Sequence, residues 1–379
     1  MSENTNMMKK AGITFSEEQG QLLEIAESFS RDKAPIATVR NLIESETGFD
    51  KDVWTEMVNL GWLGIAIPEE FGGSGLSVAE VVTIVEPMGR MLLATPLVST
   101  TLAAQLLLDA GTTAQKQDLL PRMAGGAIAA LAMHEEHGDW DVSHVTCTGV
   151  ISGDTVTLSG IKRLVTDAKV ADTILATISI AGIPSLVAID SGSIDSAALQ
   201  RETVIDETRR SYRINLDGIS VPATNIFDAE KTAAALKRYH LLSCLLLSAE
   251  ACGGTAGAMD ITLNYLNTRR TFDRFIGSYQ SLKHTMVDIL TDLEAARSFL
   301  YYAAGVIDTD EGEVAVRMAK AQSSDNFAYA GDRAIQFHGG FGFTYECDAQ
   351  LFRRRAFWTA NQSGDAIYHR KRLATLLLD

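Results

Sequence analysis

Apolar residues recur every three to four positions through the first third of the chain, every second position in the middle, and at helical spacing again thereafter. Ser16-Glu17-Glu18-Gln19 has the form of a capping box, in which a Ser hydroxyl and a Gln side chain satisfy backbone groups at a helix start. Leu22, Ile25, Ala26 and Phe29 follow on one expected face, and Pro35 closes the segment. Trp54, Met57, Val58 and Trp62 form a second such face. After the glycine-rich stretch IPEEFGGSGLS (67–77), helix is expected from Val78 to about Leu108. A short helix near Ala114 to Met123 then leads into a Gly-Gly turn.

From about Leu131 the period is two. VTLSG (156–160) ends one hairpin arm and IKRLVTD (161–167) begins the next; TILATISI, SLVAID and YRINLDGISV follow, with Gly, Asp and Ser turns. Short strands at this spacing predict a small antiparallel barrel or sandwich that ends near Val221-Pro222. Beyond Ala229, four long helical stretches (232–268, 278–306, 312–337, 349–376) with short breaks predict a bundle. The expected fold class is therefore α+β and multi-domain. It comprises an N-terminal all-α domain (1–128), a middle antiparallel β barrel or sandwich (129–228) and a C-terminal four-helix bundle (229–379).

Charge and composition narrow the function classes. A net charge of −15 disfavours a nucleic-acid partner, because phosphate contacts need clustered Lys and Arg. The longest charge-free run, Thr173 to Ile189, is split by Gly182-Ile183-Pro184 and reads as two strands and a turn, so no membrane span is expected. The start, MSENTNMMKKAGITF, lacks the apolar core of a signal peptide. Cys147, Cys244, Cys252 and Cys347 show no CxxC spacing, and a reducing cytoplasm is the simpler reading. His134-Glu135-Glu136-His137 places its two His three apart, unlike HExxH, and no metal site is expected.

Five stretches carry a resemblance: GWLGIAIPEEFGGSGLS (61–77), LSGIKRLVTDAKVADTILA (158–176), RINLDGISVPATNIF (213–227), YLNTRRTFDRFIGSYQSLKH (265–284) and AIQFHGGFGFTYECD (334–348). In this order they resemble the acyl-CoA dehydrogenase family over roughly residues 14 to 375. The resemblance implies FAD as cofactor, an acyl-CoA substrate and an electron-transfer flavoprotein as electron acceptor. A flavin would take a hydride from the β-carbon while a carboxylate removes the α-proton. It also implies that each FAD lies at a subunit boundary. Arg269 and Phe272 stand where the family has a pyrophosphate-binding Arg and an aromatic in R-x-x-F-G. Gln280 and Gln336 match positions near the adenosine part. Gly339-Gly340-Phe341-Gly342 resembles the loop over which backbone approaches FAD, and Thr166 matches a Thr near the flavin ring. On spacing alone the glycine loop follows a helix, so it is no dinucleotide fingerprint but a helix C-cap turn.

Four departures stand out. At the family's C-terminal base position the chain offers Gln362 or Ser363, depending on the anchor, and at the alternative position on the first bundle helix it offers Ser243. None of these can take a proton near neutral pH. The flavin-contacting stretch T-E-P-G-x-G-S-D has become HEEHGDWD (134–141), and the aromatic two residues before Thr166 is Leu164. R-x-x-F-G has become R-x-x-F-D, so Asp273 must point away from a pyrophosphate or pair with Arg270 or Arg274. Glu250, seven residues after Ser243 on roughly the same helical face, is a candidate base or a structural ion-pair partner. Asp365 is expected to cap the last helix and Glu346 to pair structurally.

The pattern is most similar to the base-less chain of heteromeric bacterial steroid side-chain acyl-CoA dehydrogenases (cholesterol or bile-acid degradation), heterotetramers with two chains of each kind. The resemblance implies that this chain completes the FAD site of a catalytic partner subunit. Two alternatives stay open: a self-sufficient homomeric dehydrogenase with a relocated base such as Glu250, and a scaffold that has lost FAD.

Overall fold

The structure, a computed structural model, describes residues 16–378; the MSENTNMMKKAGITF stretch and Asp379 lie outside them. It opens with α1 (Glu17–Lys33), α2 (Ile36–Glu44) and α3 (Lys51–Asn59). The capping box at Ser16 forms as expected: its hydroxyl accepts from the Gln19 N–H at 3.1 Å, and the Gln19 side chain accepts from the Ser16 N–H at 3.2 Å. The buried face of α1 keeps Ala26 and Phe29 of the expected one but takes Leu23 in place of Leu22 and Ile25. Leu23, Ala26 and Phe29 are buried, while Ile25 faces outward.

The helix expected from Val78 to Leu108 is two helices, α4 (Val78–Arg90) and α5 (Leu97–Ala110). Leu92 adopts a left-handed backbone, and Pro96 has no N–H with which to continue the preceding ladder. α6 (Thr113–Ala124) starts from a second capping box, Thr112 with Gln115.

Nine strands follow: β1 (Ala129–Ala132), β2 (Thr148–Ser152), β3 (Thr155–Ser159), β4 (Ile161–Thr166), β5 (Thr173–Ile180), β6 (Ile183–Asp190), β7 (Leu199–Glu202), β8 (Ser211–Asn215) and β9 (Ser220–Pro222). β5 organises the larger sheet. β6 pairs antiparallel along its length, and β1 and β2 pair parallel with its two halves, followed by β3 and β9. The smaller sheet runs β4-β8-β7. The middle region is thus the small sheet domain expected, but mixed where a purely antiparallel one was predicted. The long connection from β1 to β5 supplies the crossover that a parallel pair requires. β3 and β4, neighbours in sequence, belong to different sheets. The chain turns between them at Gly160 (φ +117°), where a Cβ would stand 2.7 Å from the Cys147 sulfur.

The remainder is helical: α7 (Ala229–Thr268), α8 (Gln280–Val306), α9 (Gly312–Phe337), α10 (Ala349–Asn361) and α11 (Ala366–Leu378), with a two-residue hairpin pair, β10 (Arg270–Thr271) and β11 (Arg274–Phe275), after α7. α7 is long and apolar enough to cross a membrane, but its apolar window is wholly buried, as befits a core helix. The fourth expected stretch is broken at 362–365 into α10 and α11.

The chain forms two compact units, each gathered from separate segments. One takes residues to 41, 79–93 and 243 onward; the other takes 42–78 and 94–242. Within the first, α4 crosses α7 at backbone contact. A Cβ on Gly253 would stand 1.8 Å from the Glu86 carbonyl oxygen, and one on Gly89 2.3 Å from that of Glu250. Missing side chains allow this approach.

Candidate functional site

α10 ends at Asn361, and the next three residues turn the chain sharply: Gln362 is extended, Ser363 (φ 55°) and Gly364 (φ 104°) are left-handed. Asp365 then caps α11 as expected, accepting from the Tyr368 N–H at 2.7 Å. This turn carries Ser363 against α7, where its hydroxyl lies 2.8 Å from that of Ser243. Both residues are buried. The two positions at which a base was sought therefore meet, and each holds a hydroxyl that stays protonated near neutral pH. Nearby, burial pushes the Cys244 thiol up to about 11 and pulls Lys320 down to about 8. Lys320 donates to the carbonyls at the end of α10, with Thr359 at 2.9 Å.

Glu250 is buried on α7 and meets Arg355 of α10, also buried, at 2.5 Å. Its role in the fold is the ion-pair one. A second buried cluster escaped the sequence reading: Glu86 accepts from Arg297 Nε at 2.6 Å and from the Tyr301 hydroxyl at 2.5 Å. Its only signal is a Glu before Pro87, set between the apolar Ile84-Val85 and Met88.

The residues expected to serve a cofactor across an interface gather at one end of the bundle. Tyr265, one turn before the end of α7, stacks on His338 just past α9 with ring centroids 4.3 Å apart. That contact brings Arg269 to the same end as Gln336, Gly339 and Gly340; all four are exposed. Gln280, also exposed, opens α8, whose N-terminus favours an anion. Gly339 is left-handed (φ +63°), and a Cβ on either Gly339 or Gly340 would meet nothing within 4 Å, so a ligand could approach this backbone closely. Phe272 and Asp273 form the tip of the β10–β11 hairpin, both left-handed, with Phe272 90% exposed. Arg270 braces the tip by donating to the Asp273 carbonyl at 2.9 Å. A guanidinium, side-chain amides and open glycine backbone fit the pyrophosphate and adenosine portions of a dinucleotide.

The flavin-facing candidates belong to the other unit. Thr166 ends β4, while Leu164 is left-handed and exposed, at a register shift in the β4–β8 pairing. The Leu164 N–H is donated to Glu202 at 2.7 Å. In HEEHGDWD, Glu135 turns inward to the fully buried Lys162 at 2.7 Å and accepts from the N–H groups of Thr146 and Cys147 at 2.8 and 3.1 Å. Burial opposes its charge, but hydrogen bonds from Lys162 and Thr146 outweigh that and hold its carboxyl at about 2. Burial lowers the pKa of His134, while His137 is exposed. Among the described residues no three His, Cys, Asp or Glu are placed to share a metal. The loop at Glu346 is anchored by its neighbour: Arg40 pairs with Asp348 at 2.7 Å and meets Glu346 through its backbone carbonyl.

Residues 16–127 match the model described as acyl-CoA dehydrogenase, N-terminal domain, and residues 242–376 match acyl-CoA dehydrogenase, C-terminal domain. The acyl-CoA dehydrogenase IpdE2 of Mycolicibacterium smegmatis is 28% identical over 92% of this chain and 95% of its own. A solved variant of the Tcur3481-Tcur3483 steroid ACAD superposes with a TM-score of 0.84 at 27% identity, covering 95% of this chain and 98% of that one. The ChsE4-ChsE5 complex from Mycobacterium tuberculosis has a TM-score of 0.86 at 23% identity, over 97% and 98% of the two chains, a likeness of fold.

Proposed function

The chain belongs to the acyl-CoA dehydrogenase family, and from that footing we propose that it is the supporting subunit of a heteromeric, FAD-dependent acyl-CoA dehydrogenase. In this reading FAD supplies the hydride acceptor for α,β-dehydrogenation of the thioester. The carboxylate that removes the α-proton belongs to a catalytic partner of the same fold. This chain contributes Arg269 to the pyrophosphate, and Gln280, Gln336 and the Gly339-Gly340 backbone to the adenosine side. The assembly is a heterotetramer with two chains of each kind, working in the cytoplasm and passing electrons to an electron-transfer flavoprotein.

The single observation that carries the reading is the Ser243–Ser363 contact at 2.8 Å. Both base positions are filled by groups that cannot take a proton, while Arg269, Gln280, Gln336 and the Gly339-Gly340 backbone, which would serve a neighbour's cofactor, are present and exposed. The alternative that Glu250 acts as base asks a buried carboxylate to leave Arg355, which would strand both charges. A bulky acyl group, such as a steroid side chain, is supported by the likeness to the Tcur3481-Tcur3483 steroid ACAD.

Co-expression with a base-bearing family member from the same genome, followed by counting FAD per assembled complex, tests the proposal. Half an FAD per chain is expected. One FAD per chain, or turnover by this chain alone, would overturn it.

A further inference from the structure

Where the family carries its base, this chain has a turn held from behind by a row of side chains that runs from the half-buried Glu313 to the buried Arg317 and His369. Glu313 of α9 grips Arg317 through two hydrogen bonds, at 3.0 and 2.8 Å. Arg317 Nη1 faces His369 Nδ1 at 3.3 Å, and His369 Nε2 faces the Ser363 carbonyl at 3.1 Å. His369 is fully buried and is packed edge-on by Tyr368. The Cys244 thiol also points at the Ser363 carbonyl, at 3.5 Å.

The proton assignment follows from chemistry. A guanidinium only donates and a carbonyl only accepts, so Nδ1 must be the acceptor and Nε2 must carry the hydrogen. The N–H thus fixed is donated to the carbonyl of a serine held at φ 55°. A non-glycine residue there is strained unless its surroundings impose the conformation. A right-handed backbone would swing the hydroxyl away from Ser243.

We infer that Arg317 and His369 are positioning residues: Arg317 selects the Nε2–H imidazole, and that N–H locks Ser363 in the backbone from which its hydroxyl reaches Ser243. The inference rests on the supporting-subunit reading for its meaning. It makes the turn a fixed, uncharged wall in this chain instead of an acid–base group.

Nitrogen NMR of the full chain with labelled histidine tests the assignment directly: His369 should show a protonated Nε2 and an acceptor Nδ1. A ring with the proton on Nδ1 overturns the inference. Hydrogen exchange across 362–369 tests the lock. Arg317→Gln should speed exchange there at least tenfold, and adding Ser363→Gly, which is at ease in the left-handed region, should restore most of the protection. If glycine gives no rescue, the strain is not what Arg317 and His369 hold, and the inference is wrong. None of these readouts involves FAD or a partner, so they stand or fall separately from FAD counting.

Discussion

Glu250 and Arg355 approach to 2.5 Å inside the bundle, one from the middle of α7 and the other from α10, and both are buried. Taking two charges out of water costs several kcal/mol each, and their attraction offsets this only while both are present. Arg355→Met should therefore destabilise the chain by about 3–5 kcal/mol, whereas pairing it with Glu250→Leu should recover most of that loss. Denaturant unfolding of the single and double variants measures this. In the assembled complex Glu250→Gln should lower stability but keep turnover per folded enzyme. A loss of about 10²–10⁴-fold in turnover would identify Glu250 as a base after all.

The α4–α7 crossing gives a second prediction. At Gly253 an added methyl would stand 1.8 Å from the Glu86 carbonyl oxygen, a backbone atom that cannot step aside, and Glu86 is itself tied to Arg297 and Tyr301. Overpacking of this kind costs about 1–3 kcal/mol and sometimes more, and Gly253→Ala is expected at the upper end. Gly20, in α1, has nothing within 4 Å of such a methyl. Gly20→Ala should instead stabilise by about 0.5–1 kcal/mol through helix propensity. Urea midpoints of the two variants should move in opposite directions.

Much of this fold is legible in the order of residues, and the misses have physical causes. The change from helical to alternating period locates the middle strands because each side chain reports its own environment. Pairing partners are less local: the parallel β1–β5 contact joins strands some forty residues apart and leaves no mark in either. In α1 Leu22 and Leu23 are equally apolar neighbours, so the spacing admits Leu22 and Ile25 beside Ala26 and Phe29, whereas the structure buries Leu23 and leaves Ile25 outside. That the positions expected to carry a base, Ser243 and Gln362 or Ser363, hold no carboxylate is plain from residue identity. That Ser243 and Ser363 touch is not, since 120 residues separate them. The Glu86–Arg297 pair, 211 residues apart, was hidden for the same reason.

Glu135 provides a pH signature. Its carboxyl is held at about 2, below the ordinary 4.5, because Lys162 and Thr146 donate to the charged form more strongly than burial opposes it. A depressed carboxyl contributes stability that is fully present above about pH 4.5 and is lost as pH falls towards 2. Replacing the carboxyl by an amide removes that dependence. Glu135→Gln should therefore flatten the acid limb of the unfolding profile between pH 4.5 and 2, and be less stable than the parent at pH 7. Melting temperatures across this range compare the two; identical acid limbs would mean that the Lys162 contact does not depress Glu135.

Arg269 offers the sharpest separation between a cofactor-serving face and an ordinary surface. It is exposed, just beyond the end of α7, and its loss should leave this chain's own fold intact, since surface substitutions usually move stability by no more than about 0.5 kcal/mol. In the assembled complex the same change removes a guanidinium that can bridge two phosphate oxygens, a charge-assisted contact about twice as strong as a neutral one. Arg269→Ala should weaken FAD binding at least tenfold, seen as loss of the bound flavin on dilution. Arg269→Lys, which keeps the charge but not the planar fork, should fall between the two. The equivalent change on the catalytic partner tests the asymmetry: if only the supporting chain's arginine reaches each FAD, the partner's Ala variant should retain the flavin. Equal losses from both chains would mean that each chain serves a flavin of its neighbour, and the complex would then hold one FAD per chain instead of one per pair.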